Sequence, residues 1–430
     1  MIADRSVSSQ AQANPRGPYR TLFGQPVLRG LAVADVCARL PQGMVTITLL
    51  LVAAQHASMT VAGLVVAGYT LGQALTAPLR GRLADRHGLV PIAGLCAAGY
   101  ALALLALLAA AVAHAPATAL VAAASAAGLL SPPLSPGMRS LWSTYAAGTL
   151  KQTAFALDGA IFDLAYIVGP VLASALGTAL APAVAVTVML ALTAAAVLIV
   201  NARRPEPLGH PEPLGHPEAP ADPGAAARPE TRHPRVRLRS PVPLRSPVLR
   251  RLIITAALAN AALSATEVAL TACVRHHHAL WASGPLLAEV SIGSILGSLL
   301  LGARPFAATS RYGRLLGLPR LLAGYALGLA ILTTAGLYPP LLALAAPLAG
   351  LCLGPTLATL FGMAAGEAPP GSGTETQAWL NSIMNGGAAG GAALAGLSSG
   401  EPLFALGLAA VTAAAAALSA VAGEHKEVIC

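Results

Sequence analysis

The sequence predicts an all-α membrane protein with twelve transmembrane helices in two six-helix bundles. Three observations carry that prediction. Of 430 residues, 56% are hydrophobic and only 10% charged, with a mean hydropathy of +0.69; soluble domains carry about 25% charged residues. Apolar runs of roughly 20 residues, the length of one membrane span, recur along the whole chain. The runs are continuous and rich in Ala, Leu and Gly, whereas the strands of an outer-membrane barrel alternate.

Read against turn signals, the first six spans fall at 28–52, 59–79, 89–112, 117–139, 152–176 and 181–200. The second six fall at 252–274, 280–301, 316–337, 340–363, 376–397 and 402–421. Residues 1–27 form a polar, basic tail without the apolar core of a signal peptide, and 423–430 form a second tail. The domains are thus a first bundle over 28–200 and a second over 252–422, joined by a linker at 201–251. The linker holds Pro-Glu-Pro-Leu-Gly-His twice in tandem, at 205–210 and 211–216, and Leu-Arg-Ser-Pro-Val at 238–242 and 244–248. Proline fixes φ and offers no backbone donor, so the linker reads as a disordered tether. Its arginines suit anionic headgroups of the bilayer.

Positive residues stay on the cytoplasmic side of a membrane. With both termini cytoplasmic, Arg80, Arg82, Arg86, Arg139, Lys151, Arg304, Arg311 and the linker arginines all lie inside, and only Arg275 falls in an external loop. The reverse orientation strands nearly every positive charge outside. The net charge of +9 therefore reports orientation, and a nucleic-acid partner is excluded because the basic residues are scattered in short loops.

Between the second and third spans runs Gly81-Arg82-Leu83-Ala84-Asp85-Arg86-His87-Gly88, expected as a tight charged turn. This stretch resembles the signature loop of the major facilitator superfamily (MFS), transporters built of two six-helix halves. Helix 5 adds Gly169-Pro170 where the family's antiporter motif places its Gly-Pro pair. The motif's other glycine positions hold Ala156, Ala165, Ala173 and Ser174, all small. In the second half, Thr266-Glu267-Val268-Ala269, the run from Ser291 to Gly297, and Gln377-Ala378-Trp379 followed by Gly387 and Gly391 are similar to actinobacterial drug-efflux-like members. The resemblance implies a gating role for Gly81, Asp85, Arg86 and Gly88, with Arg139 near the end of helix 4 as the partner of Asp85. The second-half counterpart of the loop, 302–314, keeps glycines and arginines but has no acid.

A charged group in the membrane interior costs at least about 2.5–3.5 kcal/mol, so each marks a functional candidate. Asp35 and Arg39 are four apart on one helix face and can pair, with Pro41 and Gly43 placed to kink the helix beyond them. Asp158 and Asp163 point roughly 140° apart. Asp163 lies deeper, one turn before Tyr166 and Gly169, where a carboxylate can load a proton from one side and release it to the other; Asp158 suits pairing with a basic residue. Glu267 and Glu289 are candidates for a cationic substrate or for the proton, or for hydrogen bonds to Asn260. Asn381 and Asn385 share a face near Trp379 and suit a polar cavity wall or helix packing. The pairs Gly68/Gly72, Gly293/Gly297, Gly324/Gly328 and Gly387/Gly391 allow close helix approach.

The five cysteines are scattered without a CxxC pair and the three histidines from His276 to His278 are adjacent in one loop, so neither a disulfide framework nor a metal site is expected. No P-loop occurs; no cofactor is expected, and a proton gradient is left as the energy source. The expected activity is proton-coupled efflux of a small drug-like or secondary-metabolite substrate by a monomer in the cell membrane. Uptake of a sugar or other metabolite by proton symport and a non-transporting sensor on the same fold are the alternatives; the low aromatic content, 4%, counts against a sugar site, and no soluble catalytic or recognition domain is seen that would favour a sensor.

Overall fold

A computed structural model describes residues 17–55, 59–146, 148–202, 246–276, 283–303, 311–336, 338–398 and 401–427. Every element in these segments is a helix. The first half comprises α1 (Pro18–Gly24), α2 (Pro26–Ala54), α3 (Met59–His87), α4 (Leu89–Val112), α5 (Ala117–Leu129), α6 (Leu134–Tyr145), α7 (Thr149–Ala179) and α8 (Pro182–Ala202). The second comprises α9 (Pro247–His276), α10 (Ser283–Ala303), α11 (Arg311–Ala335), α12 (Pro339–Leu351), α13 (Leu353–Gly366), α14 (Gly373–Leu397) and α15 (Pro402–Glu427). Among the described residues, eleven helical stretches are long and apolar enough to cross a membrane, α5–α6 counting as one and α12–α13 as another. The predicted eleventh span, α14, is about 37 Å long at 1.5 Å per residue. Its polar first turns, from Thr374 to Gln377, and its glycines keep it out of that set.

Several expectations are corrected. The stretch from Gly81 is not a turn: α3 runs unbroken to His87, and the chain reverses at Gly88, whose φ of 91° only glycine adopts readily. The 1–27 tail contains a helix, α1. The linker ends sooner than expected, because α9 starts at Pro247; its residues 203–245 lie outside the described segments, as do 304–310, most of the tail and two of the three adjacent histidines. The fourth span of each half is broken. Pro132 and Pro133 separate α5 from α6, and Pro355 in the first turn of α13 denies a donor to the Leu351 carbonyl. A break at matching positions in two halves points to a binding site between them.

Each half buries an apolar core, that of the second taking in Phe155 of α7, and large apolar side chains such as Leu71, Leu75, Leu102 and Leu344 stand exposed on the outside, the face a bilayer covers. The glycine pairs serve packing within each half: Gly68 and Gly72 face α5, Gly293 and Gly297 face α12, Gly324 faces Cys352 between α12 and α13, Gly328 faces α12, and Gly387 and Gly391 face α9. A very tight crossing in the first half joins α2 to α7. A Cβ on Gly43 would strike the Ala165 carbonyl, and one on Gly169 would sit 2.7 Å from the Cα of Gly43. Gly43→Ala should therefore cost about 1–3 kcal/mol, read as a lower melting temperature in detergent. Gly63→Ala, with open space around its Cβ, should leave that temperature unchanged.

The two bundles meet along two seams, α3 against α14 and α7 against α10, with α6 and α13 between them.

Candidate functional site

Call the end where α2, α7, α9 and α14 begin, and where α3, α10 and α13 finish, the arginine-rich end. Among the described residues, the hydrogen bonds between bundles lie there.

The outermost layer is a latch. Asp85, in the last turn of α3, accepts the backbone N–H groups of Thr374 (2.9 Å) and Glu375 (2.7 Å). These are first-turn donors of α14, which have no partner inside their own helix; the carboxylate caps them and complements the positive end of the helix dipole. Arg82 adds an ion pair to Glu375, with Nη2 at 2.6 Å and Nε at 3.0 Å from Oε1. Gly81 makes the approach possible, since a Cβ there would lie 2.9 Å from the Thr374 carbonyl oxygen. On the other seam Thr153 donates to the Gly302 carbonyl (2.8 Å) and Tyr19 of α1 to the Leu299 carbonyl (3.0 Å). Burial pushes the Tyr19 phenol up to about 12, so its hydroxyl remains a donor at every pH the protein meets. Leu22, one turn on, is fully buried in the first bundle, so α1 spans both halves.

The expected partner of Asp85 was Arg139. The structure instead gives Asp85 the α14 N-terminus and places Arg139 deeper. The missing acid is Glu375, supplied by α14 rather than by 302–314. Arg86 is exposed, and Arg80 folds back to donate to the Gln73 carbonyl at 2.9 Å.

Above the latch lies a charge cluster from α2, α6 and α7. Arg39 donates from Nε to Asp35 (2.9 Å), from Nη1 to Ser135 (3.0 Å) and from Nη2 to Asp158. Arg139 donates from Nε to the other oxygen of Asp158 (3.1 Å), and Trp142 Nε1 donates to Asp35 (3.2 Å). All four charged residues are at most 1% exposed. Two arginines and two carboxylates cancel, the condition under which such burial is tolerated. The Asp35–Arg39 pair was legible at fourfold helical spacing; a basic partner was expected for Asp158, but its two arginines come from α2 and α6, which no local spacing identifies. The break before α6 turns Ser135, Arg139 and Trp142 onto one inward face. Phe162 of α7 covers the cluster from the first bundle, its ring centroid 5.5 Å from the Arg39 guanidinium carbon and 5.9 Å from that of Arg139. Phe361 of α13 covers it from the second, 3.3 Å from Arg139.

Beyond Phe162, whose ring meets that of Tyr166 at 4.6 Å, the bundles part. Asp163 is half-buried and Tyr166 exposed on α7, and Glu267 is exposed on α9; these side chains of opposite bundles flank the space between them. Tyr166 lies within electrostatic reach of Glu267 across that space. Pro170 has no N–H for the Tyr166 carbonyl, leaving that oxygen free at the wall. Asp163 faces Ser294 of α10. Among the described residues no arginine, lysine or histidine lies within ion-pair distance of Asp163 or Glu267. Glu289 is half-buried with Oε2 unpartnered, and Asn260 donates to the Met384 carbonyl rather than to an acid. Asn385 is exposed, Asn381 half-buried, and the Trp379 N–H is buried without an acceptor. Glu375, Phe361, Tyr19, Ser135 and Trp142 were missed. Only Glu375 carried a signal, an acid in the first turn of a helix.

Two helical bundles, broken fourth spans, a space between the halves and links confined to one end define a multi-pass membrane transporter. The chain matches the Major Facilitator Superfamily over residues 31–392, and it belongs to that family. No curated protein sequence shows a significant match. Among solved structures it resembles the human organic anion transporter MFSD10 (TETRAN), with TM-score 0.69 and 17% identity over 92% of this chain and 100% of that one. It also resembles a bacterial homologue of the iron transporter ferroportin in the outward-facing state, with TM-score 0.70 and 13% identity over 92% and 99%. A second structure of that homologue, with soaked iron, gives TM-score 0.62 and 16% identity over 91% and 96%.

Proposed function

We propose that the protein is a twelve-span, proton-coupled exporter of a small amphipathic, cationic compound, working as a monomer by alternating access in the cell membrane. The arginine-rich end is then cytoplasmic, with both termini on that side, and the arrangement seen here is closed to the cytoplasm. Residues 28–200 and 252–422 act as the two rocking bundles, and the linker tethers them.

The observation that carries the reading is Asp163. It is a carboxylate in the wall of the central space, and among the described residues no basic side chain forms an ion pair with it. Asp35 and Asp158, by contrast, are each held by an arginine. A group free to take or release a proton where both faces can reach it in turn is what proton coupling requires. Glu267 and Tyr166 give the same space a carboxylate and an aromatic ring, the chemistry that recognises an organic cation. One structural neighbour is named an organic anion transporter; the unpaired charges lining this chain's space are acidic, which favours the opposite sign of cargo.

In everted membrane vesicles, an imposed proton gradient should drive accumulation of a cationic dye. Asp163→Asn should abolish the gradient-dependent part, whereas Glu289→Gln should retain it. Full coupled transport by Asp163→Asn would remove Asp163 from the mechanism.

A further inference from the structure

The contact between Arg139 and Phe361 crosses from one bundle to the other, and neither the latch nor the proton site explains it. Phe361 is 5% exposed and lies flat against a guanidinium that is itself 1% exposed. Arg139 keeps Nη1 buried without any acceptor, so the π face of Phe361 is what the second bundle offers that charge. Phe361 is in turn held by Gln377 of α14, whose Nε2 donates to the Phe361 carbonyl at 3.1 Å. Gln377 is fully buried, and its Oε1 has no partner; the amide is anchored at that one carbonyl. Gln377 lies two residues beyond Glu375, whose N–H is bound by Asp85. One turn of α14 therefore carries both the latch and the support of Phe361.

We infer that Phe361 is the seal between the charge cluster and the arginine-rich face, and that Gln377 is the positioning residue that makes the seal open with the Asp85 latch. The inference rests on the reading that the two bundles part at this end. When α14 leaves α3, the hydrogen bond from Gln377 carries α13 with it and lifts the ring off Arg139. Water then reaches Arg39, Arg139, Asp35 and Asp158, which are dry while the latch is shut. The cluster is thereby linked to the cytoplasmic gate through three consecutive contacts, Asp85 to α14, Gln377 to Phe361, and Phe361 to Arg139.

Ala358 lies one turn deeper than Phe361 on α13, 3.9 Å from where a Cβ on Gly159 of α7 would be, so it sits behind the seal. In a chain whose five cysteines are replaced by serine, Ala358→Cys should react slowly with a membrane-impermeant maleimide applied to the arginine-rich face. Adding Phe361→Ala should raise that rate at least tenfold, and should raise the passive proton leak of proteoliposomes without substrate. Phe361→Tyr, which keeps the ring, should stay at the parental rate. Gln377→Leu should speed labelling with the ring still present. A parental rate for Phe361→Ala overturns the seal; a parental rate for Gln377→Leu overturns the positioning role. If Phe361→Ala does not fold, Phe361→Leu keeps the bulk, loses the π face and decides the same point. The labelling needs neither substrate nor proton gradient, so it can succeed where the coupled-transport experiment fails, and the reverse.

Discussion

Asp158→Asn should destabilise the folded protein by about 3–5 kcal/mol, the cost of breaking a buried pair from one side. Asp158 is the single carboxylate that meets both arginines, through Arg39 Nη2 and Arg139 Nε. Neutralising it leaves Arg39 with Asp35 and leaves Arg139, 1% exposed, without an ion-pair partner among the described residues. The loss should appear as a lower melting temperature in detergent and a smaller yield of monodisperse protein. Asp158→Leu combined with Arg139→Met should recover most of it, because an apolar pair of similar volume removes the stranded charge along with its partner. If the double variant is no better than Asp158→Asn, the cluster is held by something other than charge balance.

Asp85→Asn keeps the shape of the latch and removes its charge. Hydrogen bonds to a charged acceptor contribute about 1.5–3 kcal/mol where neutral ones give about 1, and the α14 N-terminus adds its preference for an anion. A net loss of about 2 kcal/mol shifts the balance between closed and open arginine-rich ends roughly 30-fold. Spin labels near the ends of α3 and α14 should report a longer distance as the dominant population. Arg82→Gln should move it less, since Arg82 is 36% exposed and water screens its pair with Glu375. A double-mutant cycle between Arg82 and Glu375 should return a coupling of about 1 kcal/mol or less.

The sequence displayed the architecture clearly because membrane insertion constrains it so heavily. A span must be apolar along its whole length, and α4 begins and ends at Leu89 and Val112, the limits its hydropathy predicts. Local rules also served where partners sit on one helix, as with Asp35 and Arg39. They failed wherever a partner arrives from the other bundle. Glu375 is 293 residues from Arg82, and Phe361 reaches Arg139 only because α13 packs against α6. The stretch from Gly81 to His87 misled for a related reason: its glycine and charges suggest a turn when read alone. They are compatible with helix because the glycine admits α14 and the aspartate caps it. The weak apolar character of α14 has the same origin. A helix whose first turns must bind a neighbour's carboxylate and hold the Phe361 carbonyl cannot also be lipid-like there.

The short helix ahead of the first span has a practical corollary for anyone handling this protein. Tyr19 is hydrogen-bonded to α10 and Leu22 is embedded in the other half, so the residues of α1 are structural parts of the fold. A clone trimmed to begin at the first hydrophobic run would lack a brace between the two halves. An affinity tag or fluorescent fusion is better carried at the opposite terminus, where α15 ends at Glu427.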